Sequence, residues 1–459
     1  MRKILTIVLG LLLLLVGVGV SPSNHLDAAN ATVASRVLPS WAKNATLYEV
    51  NIRAYTPQGT FNAFKKHLPR LKKLGVKILW LMPIHPISQT HRNGSLGSPY
   101  AVDNYLQVNP DMGTAADFKS LVKAAHDQGF KVVMDWVANH TGWDNPWIQN
   151  DGWYTKVNGV IQPPNRDWLD VADLNYGNAD MRAAMISAMK YWVTDFGVDG
   201  FRCDYANGVP TDFWEEASTQ LQAIKPTFML AESEGDSSEL VSAFNANYSW
   251  SLLNRMNSTA NYAGDASALG MAIDVLNFNY SNGTFPVTFI TNHDQNAWNG
   301  TEYERLGSFV NRFSALYFTA PGMPLIYSGQ EVGLKTRLRL FEKDTITWGK
   351  SPMTALYTKL VSLKTKNPAL WNGSFGGEAV VYDGSDPMVL TYSRTKGKNH
   401  VIVAINLQDT KTSTTIDTGS ALKGTYFDFG TEKSVKVSKN SLKISVPAKG
   451  FVIYSTVKG

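Results

Sequence analysis

Between residues 46 and 327 the chain carries short runs of almost wholly apolar residues, separated by longer segments whose apolar residues recur every three or four places. The clearest run is Gly75-Val-Lys-Ile-Leu-Trp-Leu-Met-Pro83. A strand that is apolar on both faces must be covered on both faces, as in a parallel sheet with helices packed outside it. Strands read in this way at 46–53, 75–83, 131–135, 198–203, 227–231, 287–291 and 323–327. Helices read at 61–74, 114–128, 181–196, 211–223, 303–318 and 353–364. In 114–128, Phe118, Leu121, Val122 and Ala125 share one face, Thr114 is placed to cap the start and Gly129 to stop the helix. Alternation of this kind over roughly 330 residues fits a (β/α)8 barrel better than an open sheet. The sixth unit, within 245–283, has no clear strand or helix boundary.

The third strand and its helix are separated by 139–178, too long for an ordinary connection and rich in rings: Trp143, Trp147, Trp153, Tyr154 and Trp168. It reads as a small inserted subdomain at the barrel mouth. Beyond Asn372 helical patterns vanish and alternation takes over, with Val401, Val403, Ile405 and Leu407 on one face and Leu442, Ile444 and Val446 on another. That is the pattern of an antiparallel β-sandwich or barrel-like domain. At the other end, Arg2 and Lys3 precede an apolar run over 4–20 and the small-residue triplet Ala29-Asn30-Ala31. An uncleaved anchor would share this pattern, but a cleaved export leader fits it better. The expected organisation is therefore a leader over 1–34, barrel over 35–138 and 179–372, insertion over 139–178 and β-sandwich over 373–459. The mature protein is expected outside the cell, without stable membrane association. A net charge of +5 with scattered basic residues gives no nucleic-acid footprint. A single cysteine, Cys203, excludes an internal disulfide.

Barrel active sites lie at the C-terminal ends of the strands, so the polar residues there are the candidates. Asp135, with Asn139 and His140 beyond it, closes the third strand; Arg202 and Asp204 close the fourth. Glu232 closes the fifth, and Asn292-His293-Asp294 follow the seventh. Residues two apart in a strand share a face, so Arg202 and Asp204 look the same way. Alone, that pair serves a structural ion pair as well as an activated nucleophile. Carboxylates from four strands at one mouth ask for more. A metal site is one option, but the histidines stand singly and no HExxH or Cys/His cluster occurs. Glycoside hydrolysis is the other, in which one carboxylate attacks the anomeric carbon and a second protonates the leaving oxygen.

Four segments, Asp135-Trp-Val-Ala-Asn-His140, Gly200-Phe-Arg-Cys-Asp204, Leu230-Ala-Glu232 and Thr291-Asn-His-Asp294, resemble the signature regions of the α-amylase family of retaining glycoside hydrolases. Weaker matches at Gly75–Pro83, Ala172-Asp-Leu-Asn175 and Gly322-Met-Pro-Leu-Ile-Tyr-Ser-Gly-Gln-Glu331 keep the family's order. The resemblance implies Asp204 as nucleophile, Glu232 as acid/base and Asp294 as the carboxylate that holds the distorted sugar. It implies Arg202 as the cation that orients Asp204 and lowers its pKa, His140 and His293 as hydroxyl binders, and Tyr100 as the ring beneath the sugar. Asp135 and Asn139 would support the site from behind, and Glu234 would fall in the loop. Asn139 also matches a calcium ligand of the family, with Asp173 and other acids of the insertion nearby, and no organic cofactor is implied. Two departures stand out. Asn207 and Gly208 replace a Lys-His pair that contacts sugars beyond the cleavage point, and Asn104 replaces an aspartate. The implied activity is endo-cleavage of α-1,4-glucan. An α-glucosidase, maltogenic exo-enzyme or transglycosylase, or a catalytically inactive glucan-binding relative, are the alternatives.

Overall fold

The computed structural model describes residues 36–459 apart from 236, 238, 239, 241, 263, 264, 281 and 282, so the leader expected over 1–34 lies outside the described residues. Eight parallel strands close a barrel: β1 (Leu47–Val50), β2 (Ile78–Leu81), β3 (Lys131–Val137), β4 (Gly200–Asp204), β5 (Phe228–Glu234), β6 (Ala246–Tyr248), β7 (Phe285–Thr288) and β8 (Met323–Tyr327). Leu47 of β1 lies beside Ile78 on one flank and Leu325 on the other, which closes the ring. The two faces of each strand then go to different cores. Leu47, Ile78, Val133, Leu230, Val287 and Leu325 fill the barrel interior. Tyr48, Leu79, Val132, Phe201 and Met229 pack outward against the helices. Apolar residues on both faces of each strand are thereby all buried, at roughly 25 cal/mol per Å² of apolar surface removed from water.

The sixth unit is a strand of three residues followed by helices Trp250–Tyr262 and Ala266–Phe278. Asn247 stands at the strand's centre, and its amide is satisfied by Ser233 Oγ, the Gly235 carbonyl and the Tyr280 hydroxyl. So short a strand with a polar centre has no apolar run to read. Other boundaries moved for local reasons. β1 ends at Val50 because Asn51 Oδ1 accepts from Ala54 N and starts a short helix, Ile52–Tyr55. The helix expected over 61–74 is two, Phe61–Lys65 and Leu68–Leu74, the second carrying Pro69 in its first turn, where a missing N–H costs nothing. The helix expected over 303–318 breaks at Gly307, whose φ of 52° an α-helix cannot hold. β7 starts two residues early, while β3 and β5 run on past their expected ends. Glu234, expected in the loop, thus ends β5, where it is exposed and accepts from Ser251 N.

After the barrel comes an antiparallel sheet in the order Ala379–Tyr382, Val389–Lys396, Asn399–Asn406, Phe451–Ser455, Gly424–Asp428, Ser434–Val437. Thr412–Asp417 pairs with Ser441–Val446 as a second layer. Ile402, Ala404, Tyr426, Ile444 and Val446 form the core between the layers, while Val401, Val403 and Ile405 face the barrel's outer core. Among the described residues, no helix is long and apolar enough to cross a membrane.

Candidate active site

β4 ends in alternation, so Arg202 and Asp204 point to the barrel mouth while Cys203 turns outward into the core between strands and helices. Arg202 has no solvent exposure. Its Nη1 donates to Asp135 Oδ1 and to Asp204 Oδ1, each at 2.9 Å, and Nε donates to the Tyr248 hydroxyl at 3.3 Å. Nη2 lies 2.7 Å from Glu232 Oε1 as an ion pair, although out of hydrogen-bond alignment. The guanidinium also sits 5.1 Å from the centroid of the Trp80 ring and 5.8 Å from that of Tyr100. One buried cation therefore joins carboxylates of β3, β4 and β5, where sequence reasoning paired it only with Asp204.

Burial dominates the titration of this group. Asp204 is pushed up to about 6, because burial and the neighbouring Asp135 and Asp294 charges outweigh Arg202. Arg202 does lower it, as expected, but burial and the two neighbouring acids raise it by more. Glu232 is pushed up further, to about 7, by burial and by Asp204 and Asp294, against Arg202 and a hydrogen bond from Tyr205 N to Oε2 at 2.8 Å. Asp135 is held in place by Trp80 Nε1 at 3.1 Å and the Tyr100 hydroxyl at 3.2 Å, both on Oδ2. The ordering leaves Glu232 the stronger proton holder of the pair, as an acid beside an ionised nucleophile requires.

Beyond β7, His293 is fixed from both sides. Its Nδ1 lies 2.5 Å from Glu49 Oε1, and its Nε2 lies 2.8 Å from the Tyr100 hydroxyl and 3.1 Å from Asp294 Oδ2. Burial alone would lower its pKa, but Asp294 and Glu49 raise it well above the usual range, so the ring is an imidazolium. That cation in turn overcomes the effect of burial on Asp294 and holds it below the usual carboxylate value. The Tyr100 ring stacks on His293, with centroids 5.5 Å apart. His140 is buried and pushed down to about 4, hence neutral, and its Nδ1 is 3.3 Å from the Asn139 amide nitrogen.

Tyr100, His140, Asp204, Glu232, His293 and Asp294 all line one cavity of about 630 Å³, with Arg202 beneath it. Two edge-to-face aromatic pairs, Trp168–Tyr205 and Trp298–Phe341, also line it. Glu49, Tyr205, Trp298 and Phe341 escaped the sequence analysis. Glu49 had a signal, an acid in the middle of an apolar strand, which is costly unless paired. The other three had none, since loops bring them to the mouth.

Asn139 and Asp173 are brought together, because strand His140–Gly142 pairs with Val171–Asp173 and sets His140 opposite Asp173. Calcium takes six to eight oxygens, usually with several carboxylates. Here Asp144 is occupied by Ser88, Gln89 and Thr90, and Asp151 by Lys156. Burial raises the Asp173 pKa, which a side-chain hydrogen bond from Thr155 only partly offsets. Among the described residues no three His, Cys, Asp or Glu side chains converge as a metal cluster. This donor set does not fit a calcium cage.

The model of the alpha amylase catalytic domain matches residues 27–170 and 165–379, and that of the alpha amylase C-terminal all-beta domain matches 381–457. The chain belongs to the alpha-amylase family. The maltogenic alpha-amylase AmyB of Thermotoga neapolitana is 30% identical, with a TM-score of 0.82 over 91% of this chain and 99% of that one. An alpha-amylase of Lactobacillus plantarum is 29% identical, with a TM-score of 0.81 over 91% of this chain and 100% of that one. Alpha-amylase MalA of Haloarcula japonica is 27% identical over 88% of this chain, which spans only 60% of that protein's length.

Proposed function

We propose that this family member cleaves internal α-1,4-glucosidic bonds of starch-type glucans and maltooligosaccharides with retention of configuration. The observation that carries the reading is that Asp204 and Glu232 meet on one buried guanidinium at the floor of an open, aromatic-lined cavity. Sharing one cation keeps the two carboxyl groups close, in keeping with the ~5–5.5 Å that a retaining mechanism needs. Arg202 occupies Asp204 Oδ1, which leaves Oδ2 to attack the anomeric carbon. As the C1–O bond to the leaving sugar breaks, Glu232 gives its proton to that oxygen, and Asp204 is left as a glycosyl ester. Glu232, now a carboxylate, takes a proton from water; the water oxygen bonds to C1 and the ester breaks. Asp294, the His293 imidazolium and neutral His140 supply acceptors and donors for the hydroxyls of the bound sugar. Tyr100 presents its ring.

An open cavity with rings at its rim favours a polymer threaded through it, and the leader-like N-terminus favours export to meet such a substrate. A maltogenic exo-action is the second reading, favoured by the name of the Thermotoga relative. Product analysis on starch, maltooligosaccharides, pullulan and isomaltose separates them. Endo-action gives early loss of iodine colour and mixed oligosaccharides; maltose alone from the outset would reject it. Starch clearing by wild type and its absence in Glu232→Gln is expected. A wild type that binds maltooligosaccharides yet clears nothing would make the protein an inactive glucan binder.

A further inference from the structure

Tyr205, the residue after Asp204, has φ 44° and ψ 48°, in the left-handed region that non-glycine residues avoid. Other described non-glycine residues with positive φ, such as His91 and Asn158, do not line the cavity; Tyr205 does. The Tyr205 N–H, in the peptide plane that follows Asp204, donates to Glu232 Oε2 at 2.8 Å while Arg202 holds Oε1, so both oxygens of that carboxyl group have partners, and the left-handed torsion then turns the chain back. The chain then enters a tight turn, Ala206–Gly208, with Gly208 N donating to Tyr205 O at 2.9 Å and Trp214 Nε1 pinning Ala206 O at 2.9 Å. The ring folds back over the turn and stands edge-on to Trp168, 5.2 Å between centroids, and Trp168 in turn stands against His140 at 5.7 Å. There is room for the ring only because residue 208 has no side chain. A Cβ there would overlap Tyr205 Cδ1 and Cε1 and lie 2.7 Å from Asn139 Oδ1.

We infer that Tyr205 is a positioning residue for Glu232 and that its ring, with Trp168, forms the wall against which the leaving sugar packs, an arrangement that Gly208 makes possible. The inference rests on Glu232 as the acid. Glu232 hands its proton to the oxygen of the leaving sugar, so a ring attached to its own hydrogen-bond donor lies beside that sugar. A flat, part-exposed ring offers an apolar face to sugar C–H groups. A backbone donor cannot be lost by side-chain rotation, so the turn holds the carboxyl group more rigidly than a side-chain partner would. The other charged or titratable groups facing Glu232 are Arg202 and Asp204 from β4, Asp135 from β3, Tyr248 from β6 and Asp294 after β7. None of them changes in the variants that test the inference.

The test measures kcat and KM on a maltooligosaccharide across pH for Tyr205→Asn, Gly208→Ala, the double variant and Glu232→Gln. Asparagine tolerates left-handed torsions, so Tyr205→Asn keeps the N–H on Glu232 and loses only the ring. KM is expected to rise up to about tenfold with the alkaline limb unmoved. Gly208→Ala pushes the ring and the turn away and should cost up to about 10²-fold, mainly in kcat. A donor that favours ionised Glu232 is lost, so its alkaline limb should move to higher pH. In the Tyr205→Asn background most of the Gly208→Ala effect should vanish. An unmoved alkaline limb and kcat in Gly208→Ala, or an unchanged KM in Tyr205→Asn, would overturn the inference. The Tyr205→Asn arm decides alone if Gly208→Ala does not accumulate as folded protein. Activity surviving in Glu232→Gln would instead bring down the acid assignment itself.

Discussion

Of the three arginines almost wholly buried among the described residues, Arg202 and Arg394 lie at opposite ends of the barrel, and their surroundings differ completely. Arg202, at the mouth, faces three carboxylates, those of Asp135, Asp204 and Glu232. Arg394, at the other end, faces backbone. Its Nε donates to Gly377 O at 2.8 Å, Nη1 to Ala320 O at 2.8 Å and Nη2 to Trp371 O at 3.2 Å, which ties the β-domain to the loop before β8. Beside it, Lys364 donates to the carbonyls of Gly322 and Leu370. With no carboxylate to offset burial, Arg394 is pushed down to about 10 and Lys364 falls well below its usual value. The same residue type thus does two jobs. Arg394 satisfies orphaned carbonyls and holds two domains together, while Arg202 binds the two carboxyl groups proposed to react and offsets part of the effect of their burial.

Substitution should separate the two roles. Arg202→Met strands three buried carboxylates, and a loss of about 10³-fold in kcat/KM is expected. Asp204 loses the one group that lowers its pKa, so the acid limb of the rate profile should move to higher pH. An unmoved limb would mean that Arg202 does not govern Asp204. Arg394→Met leaves backbone carbonyls unsatisfied and should cost about 2–4 kcal/mol in a denaturant melt, with kcat/KM kept within about twofold well below the transition. A large loss of activity in the folded variant would break the contrast.

Weaker effects sharpen it. Glu49→Gln removes one of the two anions that keep His293 charged, so about a tenfold fall in kcat/KM is expected. Loss of that anion lowers the His293 pKa, so the fall should be larger on the alkaline side, where the ring is now neutral and no longer steadies Asp294. The smallest effect belongs to the insertion. Its Asp144, Asp151, Asp170 and Asp173 accept from protein donors, so chelation should leave melting temperature and activity unchanged. A fall in either on adding a chelator, reversed by calcium, would show a cage that these side chains do not make by themselves.

What could be read in advance follows from which forces act locally. Apolar residues on both faces of 75–83 demanded a covered parallel strand, and two-residue spacing placed Arg202 with Asp204 before any fold was known. The contact between Arg202 and Glu232 joins β4 to β5, and no spacing along the chain encodes it. Glu49 was overlooked because attention to strand ends passes over an acid inside a strand. For Asp204, a charge two residues away is visible in sequence, whereas burial emerges only when the barrel closes, and burial proved the larger effect. Tyr205 carried no mark of its torsion, although Gly208, where a Lys-His pair was expected, was the visible half of that arrangement.

The central claim is that Asp204 acts as the ionised nucleophile while Glu232, raised further by burial and by the Asp204 and Asp294 charges, still holds its proton. The rate needs Asp204 deprotonated and Glu232 protonated, so kcat/KM should be a bell whose acid limb reports Asp204 and whose alkaline limb reports Glu232. The direct test compares this profile in wild type and Glu232→Gln, using an aryl maltooligoside whose phenolate leaves without protonation. The account predicts that Glu232→Gln keeps substantial activity on that substrate, retains the acid limb and loses the alkaline one. An alkaline limb that persists in Glu232→Gln would contradict it, and another residue would then hold the catalytic proton.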